Sequence, residues 1–173
     1  AVNFVLKDRL DRSYVDVSGG SFRTLQSTLS FTPPWKSVDA LVAVQGFATE
    51  GFTAFGKWRG VRSLARMGKR LGGGRLSATV AVYASQWNSA DAVPLRLVNA
   101  NQVGFYGGLD ETDGGSSQRQ HVSLRYRRKE GATTLNTLLY LVQRRSRIYT
   151  NYTYLLNHPD TGDQTEQGDQ RWI

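Results

Sequence analysis

The sequence predicts an all-β chain, an antiparallel sheet with the proportions of a transmembrane β-barrel. Three observations lead there. Apolar and polar side chains alternate over runs of about ten residues, longer than the five or six usual in soluble sheets. Tight and long connections succeed one another along the chain. The longest unbroken apolar runs are "ALVAV" (40–44) and "LLYLV" (138–142), far short of the ~20 residues of a membrane helix. Lipid requires the apolar face of such strands, an aqueous lumen accepts the polar face, and closure satisfies edge amides that hydrocarbon cannot.

The elements follow in order. "SYVDVSGG" is a short first strand with Val15 and Val17 on one side. "RTLQSTLSF" sets Leu25, Leu29 and Phe31 against Thr24, Gln26, Thr28 and Ser30. "VDALVAVQGF" groups Val38, Ala40, Val42 and Val44. "VRSLARMGKR" satisfies a strand or a helix. "RLSATVAVYASQW" is the clearest strand: Leu76, Ala78, Val80, Val82 and Ala84 alternate with Arg75, Ser77, Thr79, Ala81, Tyr83 and Ser85. "HVSLRYR" sets Val122, Leu124 and Tyr126 against His121, Ser123, Arg125 and Arg127. "TTLNTLLYLVQ" is a seventh strand, with Leu138 and Val142 weakening its contrast.

One set of connections is tight: "TPPWKS" (32–37), "LGGG" (71–74) and "RKEGA" (128–132), all rich in turn residues. The other set is mostly long: "ATEGFTAFGKWRG", then residues 86–118, then the tail from about 151, with only "GGSFRT" short. Alternation stops at Trp87, where the chain leaves the bilayer and an aromatic girdle is expected. The following "NSADAVPLRLV" is an external loop, free of the pleat and available for binding.

Composition narrows the chemistry. The chain of 173 residues has a net charge of +8 and no cysteine, and its only histidines are His121 and His158. Disulfides and thiolate metal sites are excluded, and no nucleophile–base pair or metal cluster can be assembled, so an enzyme is not expected. The basic balance suits nucleic acid, an anionic membrane surface or anionic ligands. Between Glu50 and Asp91 there are seven basic residues and no acid. "AVNFVLKDRL" lacks the basic start, long apolar middle and cleavage site of a signal peptide. A leader, if the protein is exported, is removed or lies outside this piece.

The remaining motifs read mainly as structure. "LGGGR" lacks the Gly-Lys-Ser/Thr of a P-loop and precedes a strand, so it is a tight turn. "LDETDGG" (109–115) fails the EF-hand spacing and reads as loop, with calcium left open. Asp160, Asp163, Glu166 and Asp169 read as a solvated loop rather than an ion site, so "QRWI" follows an acidic loop and not a full strand. "NYT" (151–153) is a formal sequon. Tyr149, Tyr152 and Tyr154 suit a girdle or a ligand-facing ledge. Arg144, Arg145 and Arg147 fit a solvated rim, or a site for anionic ligands or lipopolysaccharide phosphates. His121 is expected to hydrogen-bond within the lumen wall.

The order of the pieces resembles a TonB-dependent outer-membrane receptor. "AVNFVLKDRL" is similar to the last strand of that family's plug, and "SYVDVSGGSFRTLQSTLSF" to its first barrel hairpin. "SQWNSADAVPLRLV" followed by "GFYGGLDETDGGSSQRQHVSLRY" resembles the third external loop and its return strand, and "YTNYTYLLNHPDTGDQTEQGD" the next ascending strand and loop. The family's energy-coupling box, most of the plug and most of its ~22-stranded barrel are missing. The resemblance therefore implies residues 1–10 as the end of a plug and 11–173 as the N-terminal portion of the barrel, about seven strands of a larger barrel. It further implies location in the bacterial outer membrane, contact with lipid, and no cofactor or metal. Import of an external nutrient (siderophore-like, vitamin or sugar) would draw energy from the TonB complex. Candidate ligand contacts in the external loops are Trp87, Asn88, Arg96, Tyr106 and Asp110. The rival reading is a soluble, basic all-β module that binds nucleic acid. The scatter of basic residues over strand ends and turns argues against it.

Overall fold

A computed structural model describes residues 6–89, 92–151, 156–158 and 165–172. Eight strands form one antiparallel sheet in chain order: β1 Tyr14–Gly20, β2 Thr24–Phe31, β3 Asp39–Thr49, β4 Trp58–Leu71, β5 Gly74–Asn88, β6 Gly114–Glu130, β7 Thr133–Thr150 and β8 Thr165–Trp172. The sheet is an open meander whose edges are β1 and β8. A single helical turn, α1 Leu95–Asn99, sits in the β5–β6 connection. No helix among the described residues is long and apolar enough to cross a membrane.

The ambiguous segment before the triple glycine is strand β4, paired along its whole length with β3 and β5. Its arginines at 62, 66 and 70 recur every fourth residue, a spacing that puts residues on one side of a strand and of a helix alike. β7 runs past Val142 to Thr150, so Arg144, Arg145, Arg147 and Tyr149 are strand residues. The tail also departs from expectation. Glu166 and Asp169, read as part of a solvated loop, lie in β8, which continues through Trp172; Asp160, Asp163, Tyr152 and Tyr154 lie outside the described residues. The sheet therefore has eight strands among the described residues, where about seven were expected.

At one end of the sheet the connections are tight. Gly72 (φ +55°) and Gly73 (φ +73°) form a two-residue turn between β4 and β5, the geometry that matches strand twist and that glycine adopts without a Cβ clash. Residues 131–132 turn β6 into β7 and 32–38 turn β2 into β3. The first hairpin, 21–23, and the long connections 50–57 and 89–113 gather at the other end.

The register assigns every strand residue to one of two faces. Every exposed valine and methionine of the strands projects from the apolar face, as does every exposed leucine except Leu138. Val80 is 44% exposed, Val82 39% and Leu124 42%, so these residues form no packed core. The buried side chains of the strands are mostly small and polar and come from the opposite face: Ser30, Ser77, Thr79, Ser85 and Ser146. Ala40 and Leu41 are the only buried hydrophobic residues described.

The apolar surface crosses the sheet obliquely. One paired row reads Ala48, Arg59, Gln86, Ser116, Arg147. On β3 the apolar surface reaches Ala48; on β4 and β5 it stops at Val61 and Ala84; on β6 and β7 it stops at Val122 and Leu141. The border thus falls by about 20 Å along the strands while crossing about 19 Å of sheet, at ~3.3 Å per residue and ~4.8 Å per strand, a slope of roughly 45°.

The chain before β1 lies across the polar face near the tight-turn end. Asp8 accepts from Arg66 at 2.6 Å and pairs with Arg75 at 3.1 Å, and Arg75 donates to Asp39 at 2.5 Å. Arg9 reaches Asp39 at 3.7 Å and donates to the Trp35 carbonyl at 3.0 Å.

Candidate ligand-binding site

The long-loop end carries a ledge of aromatic rings from three connections. Phe22 meets Phe52 at 6.4 Å, Phe52 meets Tyr106 at 6.2 Å, and Tyr106 meets Phe105 at 5.2 Å, each edge-to-face. All four rings are more than half exposed. Edge-to-face pairs usually stabilise a core; here they hold apolar surface open to solvent.

The loops fix this ledge through their backbones. The Glu50 amide donates to the Phe22 carbonyl at 2.9 Å, and Arg23 binds the Glu50 carboxylate at 2.9 Å. The Ala54 amide donates to the Tyr106 carbonyl at 2.9 Å. Phe22 (φ +57°) and Arg23 (φ +51°) hold left-handed conformations that cost free energy for bulky residues. The contacts to the second loop supply the compensation. Gly108 leaves room for the Phe55 ring, which a Cβ there would strike.

Below the ledge, Trp58 and Trp87 are cross-strand partners at the ends of β4 and β5. Phe47 lies against Trp58 with ring centroids 3.7 Å apart. Trp87 projects from the polar face, with Tyr83 and Ser85. This corrects its expected place in a lipid-facing girdle: it is odd-numbered, and the odd positions of β5 are the polar ones. Tyr149 does project from the face that carries the apolar band, but eight residues beyond the end of that band at Leu141. A cavity of about 670 Å³ opens at this rim, lined by Trp58, Trp87, Asn88, Lys57, Arg147 and Tyr149 among others.

Asp110 closes the long β5–β6 connection. It accepts from the Thr112 amide at 2.9 Å, the Thr112 hydroxyl at 2.5 Å and the Asn151 side-chain amide at 3.4 Å. Burial pushes its carboxyl up, but these three donors together outweigh burial and hold it below the ordinary carboxylate range. Asn151, the asparagine of the formal sequon, is 2% exposed and inaccessible to a glycan. Gly114 (φ +146°) lets the loop return against the Trp87 backbone. "LDETDGG" is therefore a loop closure, and no group of three or more His, Cys, Asp or Glu among the described residues is placed to hold a metal ion.

The five candidate contacts do not form one cluster. Trp87 and Asn88 sit together at the rim; the Asn88 amide donates to the Lys57 carbonyl at 2.8 Å and its side chain to the Glu111 carbonyl at 2.9 Å. Asp110 is next to them through that same segment. Tyr106 belongs to the aromatic ledge. Arg96 stands apart, exposed on α1. Sequence reasoning missed Phe22, Phe52, Phe105, Trp58 and Asn151; large aromatics inside turn-rich loops were the available signal.

Two other expectations change. Arg144, Arg145 and Arg147 are split by alternation: Arg144 faces the polar side, while Arg145 and Arg147 share the other face, beyond the end of its apolar band at Leu141. His121 projects from the polar face between Ala81 and Val142 and makes no side-chain hydrogen bond among the described residues.

Comparison with known proteins finds no match among family models, curated proteins or solved structures.

Proposed function

We propose that this chain is the first part of the barrel of an outer-membrane active-transport receptor of the TonB-dependent kind, which binds an external nutrient at its long loops. The oblique apolar band is the observation that carries this reading. In a barrel the strands tilt about 35–45° from the membrane normal, so a horizontal lipid layer must cut across the paired rows at that angle. Leaving the band in water would forgo ~1.5–3 kcal/mol of burial per large side chain and present a contiguous apolar patch that drives association. Lipid removes that cost, and continuation of the sheet beyond β8 and β1 would remove the open edges.

In this reading the tight turns face the periplasm and the long loops face outward. The aromatic ledge takes the first contact with ligand, and the Trp58–Trp87 rim receives it next. The segment carrying Asp8 is the end of a plug held inside the wall. Energy from the TonB complex, applied through that plug, would change the affinity of the loops and rim, and this difference in affinity releases the ligand inward. The protein does no covalent chemistry.

The basic polar face favours one rival, a nucleic-acid-binding sheet. That alternative leaves the whole apolar band in water. Fractionating cells that express the full-length gene, with heated and unheated electrophoresis of the envelope, separates the two. The receptor reading expects outer-membrane recovery and a heat-dependent shift in mobility. Recovery in the cytosol, with salt-sensitive binding to single-stranded nucleic acid, overturns it.

A further inference from the structure

Four residues along the strands from the Trp58–Trp87 rim, on the same face, a paired row brings together Arg62, Tyr83, Arg119 and Arg144. Arg119 and Arg144 are direct cross-strand partners. Like charges placed opposite one another destabilise a sheet. The three arginines are exposed and make no hydrogen bond or ion pair among the described residues. Of the arginines nearer the tight turns, Arg66 and Arg75 are held by Asp8 and Asp39, whereas Arg70, Arg125 and Arg127 on the same face also make no bond among the described residues. The acid that shares the upper row, Asp16, is three strands away from Arg62, about 14 Å at ~4.8 Å per strand.

We infer that this row is a subsite for a small ligand bearing several oxyanions, carboxylates or phosphates. The assignment rests on the receptor reading and gives its cargo a chemical class. Guanidinium forks match carboxylate and phosphate oxygens in pairs, and the Tyr83 hydroxyl adds a donor between Arg62 and Arg119. Adjacent cations with no acid among them concentrate anions at the wall. The approach is open: the row between rim and arginines holds Gly60, Ser85, Ser117 and Ser146, so small side chains cover the ~13 Å of strand, at ~3.3 Å per residue, that a ligand must pass.

The test titrates the full chain, purified in detergent, with citrate and with pyrophosphate, reading tryptophan fluorescence and heat of binding. Binding is expected in the wild type, weakened at least tenfold in Arg119→Gln/Arg144→Gln and about threefold in Arg62→Gln. Arg128→Gln, which removes the same charge from the opposite face, should bind as the wild type. The single Arg62 variant serves where the double variant does not fold. Absence of wild-type binding, as expected where a further acidic segment of the chain covers the row, overturns the inference. So does an equal loss in Arg128→Gln, or no loss in the folded row variants. A chain that fails to bind these anions yet fractionates with the outer membrane removes the subsite and leaves the receptor. A chain that binds them from the cytosol removes the receptor reading instead.

Discussion

The two faces of this sheet are made by the same strands and follow opposite rules. On one, Val80, Val82, Val122 and Leu124 are adjacent and exposed. On the other, Ser77, Thr79 and Ser85 are buried, and Arg66 and Arg75 are tied to the Asp8 carboxylate supplied by the chain before β1. A soluble sheet buries its apolar side; here burial has gone to the polar one. The contrast teaches that the apolar side has no partner among the described residues, while part of the polar side is covered by the chain before β1.

The largest expected effect breaks the contrast directly. Val80→Arg or Leu124→Arg should destabilise the protein by about 2–4 kcal/mol in lipid vesicles, as charges at the bilayer midplane do. Tyr140→Arg, from the other face and 70% exposed, should cost less than about 1 kcal/mol, as exposed substitutions do. Guanidinium unfolding in vesicles measures both, and equal costs on the two faces would abolish the distinction. Next comes the polar face's own partner. Asp8→Ala leaves Arg66 and Arg75 with less compensation and should cost about 1–3 kcal/mol, seen as a lower unfolding midpoint with an unchanged slope. A loss within error would show that the segment merely rests on the sheet.

Smaller effects sharpen the comparison at the two ends. Gly73→Val forces a left-handed β-branched residue into the β4–β5 turn and should cost roughly 1–2 kcal/mol without touching ligand binding. Phe52→Ala should change stability by less than about 0.5 kcal/mol, as exposed substitutions do, yet weaken ligand capture by whole cells. The reverse result would make the ledge a structural cluster. Smallest is the acid response of the Asp110 closure. Its carboxyl is depressed in the folded protein, so the stability it adds is present above the ordinary carboxylate range and is lost as pH falls through the depressed value. Tryptophan fluorescence should therefore report loop opening only under strongly acidic conditions, and Asp110→Asn should remove that transition.

The sequence by itself determined the strands, the alternation within them and the rhythm of tight and long connections. Each follows from chemistry local to a few residues: a period of two, and glycines where a turn needs a positive φ. It left β4 open, because Arg62, Arg66 and Arg70 satisfy both periods, and it missed β8, whose polar run carries no apolar period. Only the tertiary structure decided which residues share a row. Trp87 and Trp58, Arg119 and Arg144, and the rings of three separate loops meet through register, which depends on pairing between distant segments. A shift of one residue would send each of the strand side chains to the other face.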